Sequence, residues 1–283
     1  MVQHFAAPPQ WEWYIVWYFF LGGLAGGAYA LGAILRLMGD RRDAPLARLA
    51  FLVSLPALAL CPILLTLDLG RPLRFWHMLI DARTLAPSFK YWSPMSVGAW
   101  ALVIFSVFAF VSFLEALGLT GRLLSGGFGG LFTAVGALCG LFLAGYTGVL
   151  LSVSNQPLWS DTWALGGLFL ASALSVATAS LALLARLGAV PDRVEHKLWR
   201  ADRVFIVLEL VLLAVFLVSL GTVGSRFLEP RWLALWALVL AGTVVPLALR
   251  LGARGRGPAV LACLLVLVGG LALRVVVIFS AQL

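Results

Sequence analysis

Residues Trp13 to Leu37 read WYIVWYFFLGGLAGGAYALGAILRL, an apolar run whose one charge, Arg36, stands next to its end. A helix rises 1.5 Å per residue and a bilayer core is about 30 Å thick, so about 20 such residues cross it. This run is long enough to span. Seven more follow, each bounded by charge, Pro or Gly: Leu49 to Leu67, Pro94 to Leu117, Phe128 to Val153, Thr162 to Leu187, Val204 to Val223, Trp232 to Leu251 and Ala259 to Ala281. Of 283 residues, 62% are apolar and 11% charged, and the mean hydropathy is +1.03. These values belong to membrane proteins. The expected fold is an all-α integral membrane protein with eight transmembrane helices.

A barrel would need strands of about ten residues alternating apolar and polar positions, and no such alternation occurs. The opening MVQHFAAPPQWEW lacks a basic segment before its apolar run and a small-residue cleavage site, so the first span is expected to stay in the mature protein. Cys61, Cys139 and Cys263 all fall within spans and form no CxxC pair. That spacing argues for packing rather than zinc, a cluster or a disulfide frame.

Basic residues give the chain a direction. Thirteen lie at one set of span ends: Arg36, Arg41, Arg42, Arg48, Arg122, Arg186, Arg193, Lys197, Arg200, Arg203, Arg250, Arg254 and Arg256. The other set holds six, Arg71, Arg74, Arg83, Lys90, Arg226 and Arg231, while Arg274 falls inside the last span. By the positive-inside rule the thirteen are cytoplasmic and both termini face outward. Tryptophan is biased the other way, with only Trp199 among the eleven on the inner side. An interfacial aromatic belt accounts for part of this, but a belt decorates both interfaces. The excess, with the external segment Asp68 to Ser93, also fits a face that meets a protein partner.

The chemistry available within the spans is narrow. His4, His77 and His196 all lie outside them, which excludes a dihaem cytochrome b anchor and leaves intramembrane metal ligation without support. Gly22-Gly23-Leu24-Ala25-Gly26-Gly27 follows no strand, so it reads as a site of close helix approach, with a groove for a flat ligand as the alternative. The polar residues within or ending spans are few, and each needs a partner or water. Glu209, preceded by Asp202 and Arg203, is a candidate for proton entry, whereas Glu115 sits near an inner interface. Arg274 needs an internal carboxylate, for which Asp68 is the candidate at similar depth. Topology brings Tyr14, Tyr18, Tyr146 and Asp68 to one depth near the outer face. Such a place suits a quinone, which needs an apolar cleft and a few hydrogen-bonding groups. Interfacial anchoring is the other reading of the tyrosines.

Five segments, in order, now carry a resemblance: WEWYIVWYFFLGGLAGGAYALGAILRL, LTLDLGRPLRFWHML, SPMSVGAW, GYTGVLLSVSNQPLW and GGLALRVVVIF. From about Trp11 to its C-terminus the sequence resembles the NrfD/PsrC family, the quinone-interacting membrane subunits of polysulfide reductase and related respiratory complexes. The resemblance implies two four-helix bundles, here residues 1–160 and 161–283, in a bacterial or archaeal cytoplasmic membrane. It implies menaquinone or ubiquinone in the first bundle near the outer face, and no haem or metal in this chain. It also implies an iron–sulfur subunit docked outside and, beyond it, a molybdopterin catalytic subunit. By position, Tyr146 matches the tyrosine that hydrogen-bonds the quinone head, and Arg274 an arginine linked to proton transfer. Where the polysulfide reductase pattern has Asn and His in span 1, this chain has Ile15 and Tyr18. Tyr18 can still donate a hydrogen bond; Ile15 cannot.

The resulting expectation is a quinone-reactive electron-transfer subunit that is not catalytic alone. Its quinone-binding residues are Tyr146, Tyr18, Tyr14 and Asp68. Arg71, Arg74, Trp76 and His77 form the docking loop, where Gly70 and Pro72 restrict the turn; a simple helix-end ion pair is the alternative for these charges. Two rival functions stand beside it. One is a proton-conducting or pumping module built on Glu209, Arg274, Asp202 and Glu115. The other is a plain anchor or a solute transporter, although no convincing repeat relates the two halves.

Overall fold

The structure, a computed structural model, describes residues 10–121, 124–154, 156–160, 162–189, 195–221, 224, 229–252 and 256–282. His4, Arg122, Arg193, Arg226 and Arg254, named above from the sequence, lie outside the described residues. In chain order the helices are α1 (Trp13–Met38), α2 (Ala44–Asp68), α3 (Pro94–Ala116), α4 (Gly126–Ser152), the short α5 (Pro157–Ser160), α6 (Ala164–Leu184), α7 (Glu195–Ser219), α8 (Pro230–Gly252) and α9 (Arg256–Ser280).

Local chemistry marks the boundaries. Pro45 and Pro94 sit in the first turns of α2 and α3, where their missing N–H has no helical partner to lose. After α1, Asp40 and Asp43 cap a 3₁₀ turn, Arg41–Asp43, each bonding the other's backbone. Past Asp68 the chain becomes extended at Leu69, then enters a second 3₁₀ turn, Pro72–Met78. Within α2, Pro56 and Pro62 are tolerated without ending the helix.

Seven helices, α1 to α4, α6, α8 and α9, are long and apolar enough to cross a membrane among the described residues. The eighth expected span corresponds to α7, which has the length at 25 residues but carries Glu195, Lys197, Arg200, Asp202, Arg203 and Glu209 along it. Its charges are why composition alone does not qualify it as a span.

The core is organised around α1 and α6. In each, 78% of the apolar window is buried inside the protein, against 28% for α3. α1 packs on α2, α4, α6 and α9, and α6 also packs on α4, α7 and α9. Small residues make this possible. A Cβ placed on Gly26 would run into the Gly140 carbonyl of α4, and one on Gly27 would lie 2.8 Å from the Ala173 carbonyl of α6. The double-glycine stretch is therefore a packing face, as expected, bringing α1 against α4 and α6 at Gly26 and Gly27. Gly242 and Gly269 bring α8 and α9 together in the same way, a Cβ on the latter lying 2.7 Å from the Gly242 Cα.

Candidate functional site

The start of α1, the ends of α4 and α9 and the starts of α3 and α6 converge at one end of the bundle. The Trp11 N–H donates to Gln282 Oε1 (2.7 Å), and the Trp11 ring stacks on Trp159 with centroids 5.2 Å apart. Trp159 is fully buried and donates its indole N–H to the Val277 carbonyl (2.8 Å). Trp232 and Trp236 are also buried, while Trp13, Trp17, Trp92 and Trp163 are exposed. The tryptophans thus divide between internal packing and exposed surface, a division that their one-sided sequence distribution did not reveal.

A cleft of about 510 Å³ lies at this end. Pro94 and Val97 of α3 form one wall, Phe142, Gly145, Tyr146 and Val149 of α4 a second, and Gly166, Gly167 and Leu170 of α6 a third; Tyr91, Trp92 and Trp163 rim it. The volume falls within the usual range of small-molecule sites, and the walls are mostly apolar with a few polar groups, as such sites require. Tyr146 is its central polar residue. The phenol donates to the Pro94 carbonyl, and the ring stacks on Phe142 with centroids 5.7 Å apart. Its other side abuts Gly98, where a Cβ would lie 2.5 Å from Tyr146 Cε1. Only a glycine leaves room for the ring there.

The remaining expected quinone residues do not line this cleft. Tyr18 is buried in the α1–α2 core beside Phe19 and Cys61, yet within electrostatic reach of Tyr146. Tyr14 is exposed at the start of α1. Asp68 is part-buried at the end of α2 and faces the Glu12 backbone N–H. The cleft also takes a wall from α6, beyond residue 160. Tyr91, Trp92, Trp163 and the Gly166-Gly167 pair were missed by sequence reasoning. A GG pair opening an apolar helix three residues after a Trp was the available signal.

Arg71, just before the 3₁₀ turn after α2, and Arg74 and His77 within it are exposed, and the Trp76 and His77 rings meet edge-on, 3.9 Å between centroids. Neither arginine is ion-paired among the described residues, so a helix-end salt bridge does not account for them. The loop continues through a bridge between Ile80 and Pro87. Within it, the Arg83 and Thr84 N–H groups hold the Asp81 carboxyl below the usual carboxylate range. Leu73, Leu85, Tyr91 and Trp92 are all more than two-thirds exposed here, giving this end an unusually apolar surface.

Deeper in the bundle, Arg274 is fully buried between the Phe20 and Phe169 rings, 5.6 and 5.4 Å from its guanidinium carbon. It donates to Ser172 Oγ (3.1 Å) and to the Gly270 carbonyl (2.6 Å). Its carboxylate neighbour is Glu209, not Asp68, which is held near Glu12 instead. Buried Glu209 faces the same Ser172 hydroxyl from α7. Two turns earlier on α7, buried Asp202 accepts from Ser175 (3.2 Å), one turn along α6 from Ser172. The result is a buried polar ladder: Asp202, Ser175, Ser172, Glu209 and Arg274. Two serines one turn apart in an Ala-rich span were the unread signal.

Glu115 does not join that ladder. It takes a bidentate pair from Arg36 across α1 and α3, one arm at 2.9 Å, and Arg36 also reaches the Leu124 carbonyl. At the same end Lys197 binds Asp43 (2.6 Å) and Asp40 (3.2 Å), tying α7 to the turn between α1 and α2 and raising the lysine's affinity for its proton. Among the described residues, no group of three His, Cys, Asp or Glu side chains is arranged to hold a metal ion.

Comparison with known proteins gives this geometry a lineage. A family model described as "Polysulphide reductase, NrfD" matches residues 2–283. A subunit of the selenate reductase of Mesobacillus selenatarsenatis is 24% identical over 99 residues, 35% of this chain; the match spans only 21% of that relative's length. A whole-chain family match with seven helices fit to cross a bilayer supports one conclusion: the chain belongs to the NrfD, polysulphide reductase, family and is a multi-pass integral membrane protein.

Proposed function

We propose that the chain is the quinone-interacting membrane subunit of a respiratory oxidoreductase complex. In this reading it exchanges electrons between a membrane quinone and an iron–sulfur subunit docked at the aromatic end, the outer end, of the bundle. Family membership and the selenate reductase relative support an oxidoreductase membrane subunit. The observation that carries the finer reading is the Tyr146 cleft, which opens beside an exposed, apolar and arginine-bearing loop.

The residues present fit such a ligand. Glycines of α6 and aromatic rings leave flat space for a ring, and Leu141, Val149, Val153 and Leu170 offer apolar wall for an isoprenoid tail. A bound quinone would supply two-electron, two-proton exchange. Tyr146, with its proton committed to the Pro94 carbonyl, keeps oxygen lone pairs to accept from a quinol hydroxyl; turning its O–H from Pro94 lets it donate to a quinone carbonyl. Tyr91, Trp92 and Trp163 add donors at the rim. Arg71, Arg74, Trp76 and His77 belong to the docking face, where aromatic and Arg side chains are suitable anchors. Tyr18 lies within electrostatic reach of Tyr146, and Tyr14 and Asp68 stand at the adjoining end of α1 and α2.

The test is purification in mild detergent with whatever subunits remain attached, followed by solvent extraction for quinone and a visible spectrum. Stoichiometric quinone, iron–sulfur absorption from the partner and no haem Soret band are expected. Absence of quinone even after adding menaquinone or ubiquinone would overturn the reading.

A second reading is favoured by the buried ladder. Asp202, Ser175, Ser172, Glu209 and Arg274 link α6, α7 and α9 through positions where unpartnered polarity is costly, a pattern common to proton routes. A proton-conducting role would accompany electron transfer rather than replace it. Glu209→Gln is then expected to abolish proton translocation by the reconstituted complex while leaving electron flow within about threefold, a change of at most about 0.7 kcal/mol. Unchanged translocation would remove Glu209 from any such route.

A further inference from the structure

At the opposite end of the bundle a second cavity, of about 480 Å³, opens where α1 ends, α2 begins and α3 ends. Five charged side chains line it: Arg36, Arg41, Arg48, Asp40 and Glu115. Their pairing leaves the cavity basic. Glu115 is paired with Arg36, and Lys197 is shared between Asp43 and the exposed Asp40, whereas Arg41 and Arg48 have no ion-pair partner among the described residues, so the group keeps a net positive charge. Ala44 and Ala47, also in the wall, belong to the first turn of α2, whose amide dipoles favour an anion.

The floor is apolar. Leu35 and Phe51 lie beneath the arginines, and close by on α1, Ile34, Leu37 and Met38 are exposed by 50%, 45% and 84%. Guanidinium groups meeting an apolar wall at the ends of membrane-spanning helices match the boundary between lipid headgroup and acyl chain. Basic pockets between helices at this depth are suited to lipid phosphates.

We propose that this cavity binds the phosphate of an anionic membrane lipid, with Arg41 and Arg48 as its charge partners and the Leu35–Phe51 side receiving the first carbons of an acyl chain. Inorganic phosphate shares the headgroup chemistry, but the apolar floor and the exposed end of α1 favour the lipid.

The purified, delipidated complex would be titrated with phosphatidylglycerol, phosphatidylcholine or sodium phosphate and read by native mass spectrometry. One phosphatidylglycerol per chain is expected to be retained at a concentration where phosphatidylcholine is not. The double substitution Arg41→Gln/Arg48→Gln is expected to weaken retention by roughly 30-fold, the loss for two basic residues at a phosphate. Arg42→Gln, exposed but outside the wall, provides the control and should match the wild type. Phosphate binding that needs Arg41 and Arg48, without preference for phosphatidylglycerol, would keep the anion site and reject the lipid. Equal retention of both lipids with no phosphate binding would overturn the proposal. So would equal losses from Arg42→Gln and the double variant. The wild-type lipid comparison and the Arg42→Gln control remain decisive should the double variant fold poorly.

Discussion

Replacing Gly98 by Ala adds one methyl group directly against Tyr146. Its carbon would lie 2.5 Å from Cε1, 2.6 Å from the phenol oxygen and 2.7 Å from Cζ. Carbon contacts are comfortable at about 3.5–4.0 Å, so the ring must retreat by roughly 1 Å. Overpacking of this kind costs about 1–3 kcal/mol, and losing the Tyr146–Pro94 hydrogen bond adds about 1 kcal/mol. Alanine's better helix propensity returns about 1 kcal/mol, leaving a net destabilisation of about 1–3 kcal/mol. For a chain of this size, that lowers the melting temperature by several degrees, at about 2–4 °C per kcal/mol. The functional penalty should exceed the structural one, because a 1 Å misplacement in a reactive site can cost about 100-fold. Both are measurable on the intact complex, as quinone-linked turnover in membranes and as melting in detergent. A Gly98→Ala variant that melts and turns over like the wild type would refute the claim that this glycine seats the Tyr146 ring.

Two further outcomes are expected. Tyr146→Phe preserves the ring but removes the hydroxyl, so quinone-linked turnover should fall about 10- to 100-fold while melting drops by only about 2–4 °C, the cost of the lost Pro94 hydrogen bond; equal turnover would remove the phenol from the chemistry. Glu115→Ala strands Arg36, whose side chain is only 24% exposed, and should destabilise the protein by about 1–3 kcal/mol in melting experiments without altering quinone content.

Much of this architecture was legible from the chain itself. Span length is a local property set by bilayer thickness, so the apolar runs forecast the long helices and most of their boundaries. The GGLAGG stretch announced close packing because small side chains are what a close crossing demands. Tyr146 could be singled out because few polar residues occur in apolar spans and each requires a reason. The charged first half of α7 marks where the length criterion and the composition criterion part company: the helix is long, but its apolar part begins only after Arg203.

Partnerships between helices were not legible, since they depend on which faces meet. Arg274 could be recognised as needing a carboxylate, but only the packing of α6, α7 and α9 selects Glu209 through Ser172. Asp68, at similar expected depth, is instead held at the start of α1. Glu115 and Glu209 look alike in sequence, yet one closes an interhelical ion pair and the other joins a buried ladder. Membrane class, the helices and the scarcity of polar groups follow from local composition and bilayer thickness, so the chain carries them residue by residue. The neighbours of each polar group and the walls of the two cavities come from the packed bundle alone, because long-range packing brings together residues that no sequence spacing relates.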